Sequence, residues 1–210
     1  MNLIRRLILL GWLLPVAVAH PADMLVQAAY ITISPTAIRL ELDQTAGELV
    51  AKDFLAQLDL NQNVVISPEE VKQFSSRVLE QIGLEVNNQP VNLQLESSQI
   101  PTVAQVKLGG GQLQLVFMGT PRAVGQNQFV FKNGYAPVKS AYLANVFVQS
   151  GEIKIISQQR DQTQQTFTVA YTIAQSVLPR VFPWWLGLIP IFGILAWWFA
   201  RVRSPKAVQV

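Results

Sequence analysis

The chain contains no cysteine, which excludes disulfides, thiolate metal sites, iron–sulfur clusters and cysteine nucleophiles together. It contains one histidine, His20, so no Ser-His-Asp arrangement is available once that residue sits at a processed terminus. GxSxG, HExxH and P-loop motifs are also missing. An enzyme of the cell envelope would have to work through Asp and Glu pairs alone. The expectation is therefore a protein that is not an enzyme, with a carboxylate-based envelope enzyme as the alternative. Charge is scarce too: 14% of the 210 residues are Asp, Glu, Lys or Arg, and 50% are hydrophobic. Soluble domains carry about 25% charged residues, and the mean hydropathy here is +0.27, so part of the chain is expected to meet lipid.

Two segments account for that apolarity. The start, Met1-Asn2-Leu3-Ile4-Arg5-Arg6, is a short basic region, residues 7–16 are apolar, and Ala17-Val18-Ala19 gives a small-x-small cleavage pattern. This reads as a secretory signal peptide over residues 1–19, leaving His20 as the mature N-terminus. Near the other end, residues 181–200 (VFPWWLGLIPIFGILAWWFA) carry no charge. That run is long enough to cross about 30 Å of hydrocarbon at 1.5 Å per residue. Trp184 and Trp185 stand at one edge of it and Trp197 and Trp198 at the other, where indoles favour the headgroup level. Arg201, Arg203 and Lys206 follow the run and only Arg180 closely precedes it. The positive-inside rule then puts the tail of residues 201–210 in the cytoplasm and residues 20–180 outside, in the periplasm or extracellular space.

The same segments explain a pI of about 9.3. Of the 16 Lys and Arg, five lie in the leader or the tail, leaving 11 against 13 Asp and Glu in residues 20–180. A near-neutral exported domain lacks the basic surface that nucleic acid requires. Within it, residues 20–100 carry a net charge of −7 and residues 101–180 one of +5, a split that orients a partner or lets the halves attract.

Apolar periodicity divides residues 20–180 into strands and one helical insertion. Residues 25–33 and 38–42 read as two strands around Ser34-Pro35-Thr36, and Ile38, Leu40 and Leu42 alternate with Arg39, Glu41 and Asp43. Leu49, Val50, Phe54, Leu55 and Leu58 recur at helical spacing. Val71, Phe74, Val78, Leu79 and Ile82 do the same, with Gly83 as the predicted stop. The helix-loop-helix thus spans residues 47–83. Strand patterns follow at 84–95, 103–108, 113–118, 128–132, 141–149, 153–157 and 165–173, punctuated by Asn87-Asn88, the three glycines at 109–111, Asn133-Gly134 and Ser150-Gly151. The glutamines at 158, 159, 162, 164 and 165 read as a solvated hairpin end. The expected fold is mainly β with an inserted helix pair (α+β), an antiparallel sandwich or barrel-like domain, plus one C-terminal transmembrane helix.

The loop between the two helices has the register of a 12-residue EF-hand. Asp59, Asn61 and Asn63 would supply side-chain oxygens, Val65 a backbone carbonyl, Ser67 a water-mediated contact and Glu70 a bidentate carboxylate, with Ile66 at the apolar eighth position. The departure is Val64 at position six, where a sharp turn with positive φ ordinarily takes glycine. With only two carboxylates, calcium binding would fall in the roughly 0.1 to 1 mM class. A second reading needs no ion: Ser67 as N-cap, Pro68 at the first helical position and Glu70 closing a capping box make a helix start. His20, with a free α-amine after cleavage, is a candidate for nickel or copper, although Pro21 has no amide proton to give up to a metal.

A leader ending in Ala-His-Pro, a strand pair, a helix, a Leu-Asp-x-Asn loop ending in Glu, a second helix and then strands resembles a known arrangement. It is that of the extracytoplasmic N-terminal region of bacterial membrane proteins of the hydrogenase/urease accessory type, which are nickel or cobalt permease-like. Residues 51–95 (AKDFLAQLDLNQNVVISPEEVKQFSSRVLEQIGLEVNNQPVNLQL) carry most of the likeness. In that family a multi-span permease with histidine-bearing helices follows the soluble region. This chain has one expected span, residues 181–200, with no histidine in it, so the resemblance implies an anchored stand-alone outer domain that assists a separately encoded permease. The expected function is a single-pass, membrane-anchored extracytoplasmic binding or accessory module with a protein partner and weak calcium binding.

Overall fold

Period-two alternation governs much of the backbone, and it places one face of several strands inside. The computed structural model describes residues 22–174, apart from Arg122 and Val124; the leader at 1–19, His20, the apolar run at 181–200 and the tail at 201–210 lie outside the described residues. Strand β1 (Leu25–Ile33) buries Leu25, Ala29, Ile31 and Ile33, and β2 (Ile38–Ala46) buries Ile38, Leu40, Leu42 and Ala46. They pair antiparallel across a turn in which the Ser34 hydroxyl donates to the Ala37 carbonyl and accepts from its N–H, both at 2.9 Å.

A 3-10 turn (Glu48–Val50) leads into α1 (Ala51–Leu58), and α2 (Pro68–Leu79) follows the loop. Then come β3 (Ile82–Val86), β4 (Gln89–Pro90), β5 (Gln94–Gln99), α3 (Val103–Lys107), β6 (Gln112–Gly119), β7 (Gly125–Asn133), β8 (Ser140–Val148), β9 (Ile153–Arg160) and β10 (Thr166–Ile173). The strands form two five-stranded sheets, ordered β5-β6-β2-β1-β8 and β4-β3-β7-β10-β9. The buried faces of both sheets and the apolar sides of the helices join in one hydrophobic cluster. In it Phe129 meets Phe167 edge-on at 5.9 Å, and Phe74 of α2 meets Tyr135 edge-on at 5.6 Å. The fold is thus mainly β with a few helices.

Three expectations are corrected. The apolar pattern of residues 103–108 suggests a strand, but Val103–Lys107 is helical, started by a reciprocal capping box between Thr102 and Gln105. The second helix stops at Leu79 and not at Gly83, which lies within β3; Ile82 fits the helical spacing by coincidence and is buried from a strand. The pairing is not wholly antiparallel, because β1 and β8 run parallel. The physical reason lies in the connection. Strand β7 ends at the pole where β1 begins, so β8 starts beside Leu25, whose N–H donates to the Lys139 carbonyl at 2.8 Å, and must run in the same direction. Among the described residues both sheets have free edges and form no closed barrel.

Three buried amides stitch the sheets together. Gln27 of β1 and Gln44 of β2 are fully buried, and Asn133 at the end of β7 nearly so. Gln27 Oε1 accepts from Gln44 Nε2 at 3.1 Å and from Asn133 Nδ2 at 3.2 Å, while Gln27 Nε2 donates to the Tyr135 carbonyl at 2.7 Å. A buried polar network fixes one relative position of the elements it joins, and within this one Gln44 Oε1 has no hydrogen-bond partner among the described residues.

Candidate functional site

The loop of residues 59–70 is held by the sequence on both sides. Leu58, Val71 and Phe74 are fully buried and Ile66 nearly so, which anchors both helices on the core. Arg77 of α2 donates to the Gln57 carbonyl at 2.6 Å, tying the helices to each other. Between these anchors the backbone turns sharply, with positive φ at Gln62 (56°) and Val64 (65°). Glycine is absent, so a β-branched residue adopts the left-handed conformation at the sixth position.

The oxygens close the turn from within. Asp59 Oδ1 accepts from Asn63 N–H at 3.0 Å and Oδ2 from Val64 N–H at 2.9 Å. Asn61 Oδ1 accepts from Asn63 N–H at 2.9 Å, and Asn63 Oδ1 from Val65 N–H at 2.8 Å. Glu70 lies at the centre: Oε1 accepts from Leu60 N–H at 3.0 Å and Asn61 N–H at 3.4 Å, and Oε2 from Ser67 N–H at 3.0 Å and Ser67 Oγ at 2.8 Å. The Ser67 bonds above all, with Asn61 and Leu60 adding, hold the Glu70 carboxyl below its ordinary range. Ser67 in turn accepts from Glu70 N–H at 3.3 Å, completing the capping box, with Pro68 in the first turn.

Counting lone pairs tests whether the donor set fits calcium. A carboxylate offers about four acceptor positions, and Glu70 already receives four donors. Asp59, Asn61 and Asn63 each keep a spare acceptor position after the bonds they make within the loop. Acceptor positions thus remain on Asp59, Asn61 and Asn63, whereas Glu70 could become a ligand only by giving up backbone donors. Asp59 and Glu70 are buried, whereas Asn61, Asn63 and Val65 are exposed. Among the described residues no three His, Cys, Asp or Glu side chains converge, so carbonyl and amide oxygens would make up the rest of any ligand set.

Two features went unread in the sequence. One is a groove of about 550 Å³ between α1 and α3, floored by Ala51, Leu55 and Val103, with exposed Lys52, Lys107 and Val64 along it. Leu49 and Leu108, 74% and 80% exposed, stand next in sequence to lining residues. The other is a carboxylate pair on the outer face of the first sheet, Glu41 and Asp43, bridged by Gln114 Nε2 at 2.8 and 3.1 Å. Partial burial, with the neighbouring Glu41 charge adding, raises the Asp43 carboxyl. Arg39 pairs with the second oxygen of Glu41, so both acids are engaged structurally. Their i, i+2 spacing in an alternating strand was the available signal.

No family model, curated protein or solved structure matches this chain. Among the described residues no helix is long and apolar enough to cross a membrane.

Proposed function

We propose that this chain is a single-pass, membrane-anchored extracytoplasmic module that binds and does not catalyse. Its parts are a leader at residues 1–19, a sandwich-like β domain with its helix pair at 20–180, a span at 181–200 and a cytoplasmic tail at 201–210. The domain serves a transporter or other complex of the cytoplasmic membrane and takes calcium weakly in the loop of residues 59–70. The family resemblance makes a separately encoded nickel or cobalt permease the kind of complex it would assist.

The observation that carries the ion reading is the conformation of Val64. A helix start needs Ser67, Pro68 and Glu70, and nothing in it requires a valine six residues upstream of Glu70 to take a left-handed φ of 65°. A calcium-binding loop does require that turn at its sixth position. The paired acceptance of Asn63 and Val64 N–H by the Asp59 carboxylate supports the same reading. The exposed Leu49, Val64 and Leu108 near the groove support a protein partner.

Calcium titration of the full chain in detergent micelles, followed by the amide signals of residues 59–70, tests this. The expected result is saturable change confined to the loop, half complete at roughly 0.1 to 1 mM, and lost in Glu70→Gln. No change at several millimolar overturns the ion reading. Membrane anchoring is checked separately by resistance to carbonate extraction and loss of it on deleting residues 181–200.

A further inference from the structure

The only Asn-Gly dipeptide in the chain, Asn133-Gly134, sits at the buried amide joint between the sheets. In a flexible chain this pair is the most reactive setting for asparagine, because glycine has no side chain to hinder the approach. The Gly134 amide nitrogen loses its proton to base and attacks Asn133 Cγ. A C–N bond forms, ammonia leaves, and water opens the cyclic imide to aspartate or isoaspartate.

The fold blocks each part of that sequence. Gly134 N–H is held by the Gln81 carbonyl at 2.9 Å, so the nucleophile keeps its proton. Asn133 is 3% exposed, which keeps base and water away. Its Oδ1 accepts from Tyr135 N–H at 3.1 Å and its Nδ2 donates to Gln27 Oε1 at 3.2 Å, so the amide is pinned at both ends and Cγ is not free to swing onto the Gly134 nitrogen. The backbone of Asn133 is fixed as well, its N–H donating to the Gln165 carbonyl at 2.9 Å.

The product would not fit the same place. Aspartate at 133 has no donor for Gln27 Oε1 and would face that oxygen with negative charge inside the core, where an unpaired charge is strongly disfavoured. Isoaspartate would also lengthen the backbone at the end of β7, next to the crossing into β8. We propose that Asn133-Gly134 is a deamidation site gated by the fold: silent in the native domain, open in the unfolded chain and, once converted, a block to refolding.

The test uses the full chain in detergent micelles at mildly alkaline pH, with and without urea, and peptide mapping of residue 133 over time. Conversion at least about tenfold faster in urea is expected, because buried strand ends open only rarely in the native state. Equal rates overturn the gating. The yield of native protein after urea removal should fall in step with conversion, whereas converted chains that refold fully overturn the block. Asn133→Ser cannot deamidate, so its refolding yield, relative to its own unincubated sample, is expected to hold through the same incubation. A loss as fast as that of the parent chain assigns the damage elsewhere and also overturns the block.

Discussion

Replacing Val64 by glycine is expected to make the domain more stable, the reverse of the usual effect of introducing glycine. Left-handed backbone costs an L-residue about 1 to 2 kcal/mol, with β-branched side chains at the upper end. Val64 holds a φ of 65°, and glycine removes that term. Two smaller terms oppose the gain. Glycine loses more backbone entropy on folding, about 0.5 to 1 kcal/mol, and the packing of a side chain that is already 61% exposed is lost, roughly 0.5 kcal/mol by area. The net is a stabilisation of about 0.5 kcal/mol, or about 1 to 2 °C in Tm for a domain of this size. Val64→Asn separates the causes, since asparagine tolerates the left-handed region without the full glycine entropy. Urea melts of the three chains in calcium-free buffer measure the effect, and repeating them with calcium shows whether the relaxed turn also raises affinity. If both variants prove less stable than the parent by more than about 1 kcal/mol, then Val64 is held there by contacts whose value exceeds the left-handed backbone strain, and that strain does not govern the loop.

Glu70→Gln should lower stability at neutral pH and flatten its acid dependence. The folded carboxyl is held below its ordinary 4.5, so the ionised form favours folding, and that contribution is complete above 4.5 and lost as pH falls through the lowered folded value; urea melts between neutral and strongly acid pH give the two slopes. The neighbouring glycines should behave oppositely: a Cβ at Gly111 would stand 2.6 Å from Val106 N, while one at Gly110 meets nothing within 4 Å. Gly111→Ala is therefore expected to cost about 1 to 3 kcal/mol and Gly110→Ala close to nothing, read by thermal melts. Arg160 donates to the Ala144 carbonyl at 2.7 and 3.2 Å and lies 4.3 Å over the Phe167 ring. Arg160→Ala should cost about 1 to 2 kcal/mol, and lysine should recover less than half, since it lacks the planar fork and the stacking face; an Arg160→Lys chain of parental stability would mean that the bridge contributes little.

Local patterns were readable wherever one residue pair fixed them. The aliphatic and β-branched run of residues 25–33 before Ser34-Pro35-Thr36 matches β1 to the residue, and the spacing from Leu49 to Leu58 and from Val71 to Leu79 finds α1 and α2. Position six of the loop was legible as the strained one because the spacing of Asp59, Asn61 and Asn63 is itself local. Helix α3 was missed because two valines in five residues look like a strand, although Thr102 and Gln105 carry a capping signal that outweighs them. The parallel partner of β1 was not legible at all, since Leu25 and Ser140 meet only through the crossing that follows β7. For the same reason the sequence showed Glu70 as a cap or a ligand but not as the acceptor of Leu60 and Asn61, a contact that exists only after the helices have packed.

The pairing of β1 with β8 joins residues 115 positions apart, Leu25 with Ser140, and this sets a timetable for any chain that emerges N-terminus first. Strand β1 can zip to β2 within moments of appearing, but its other edge stays bare until nearly the whole domain has followed. Contacts of such long range form slowly, and an open apolar edge invites pairing with strangers. The interval before residue 140 arrives is when that edge is most open to mispairing.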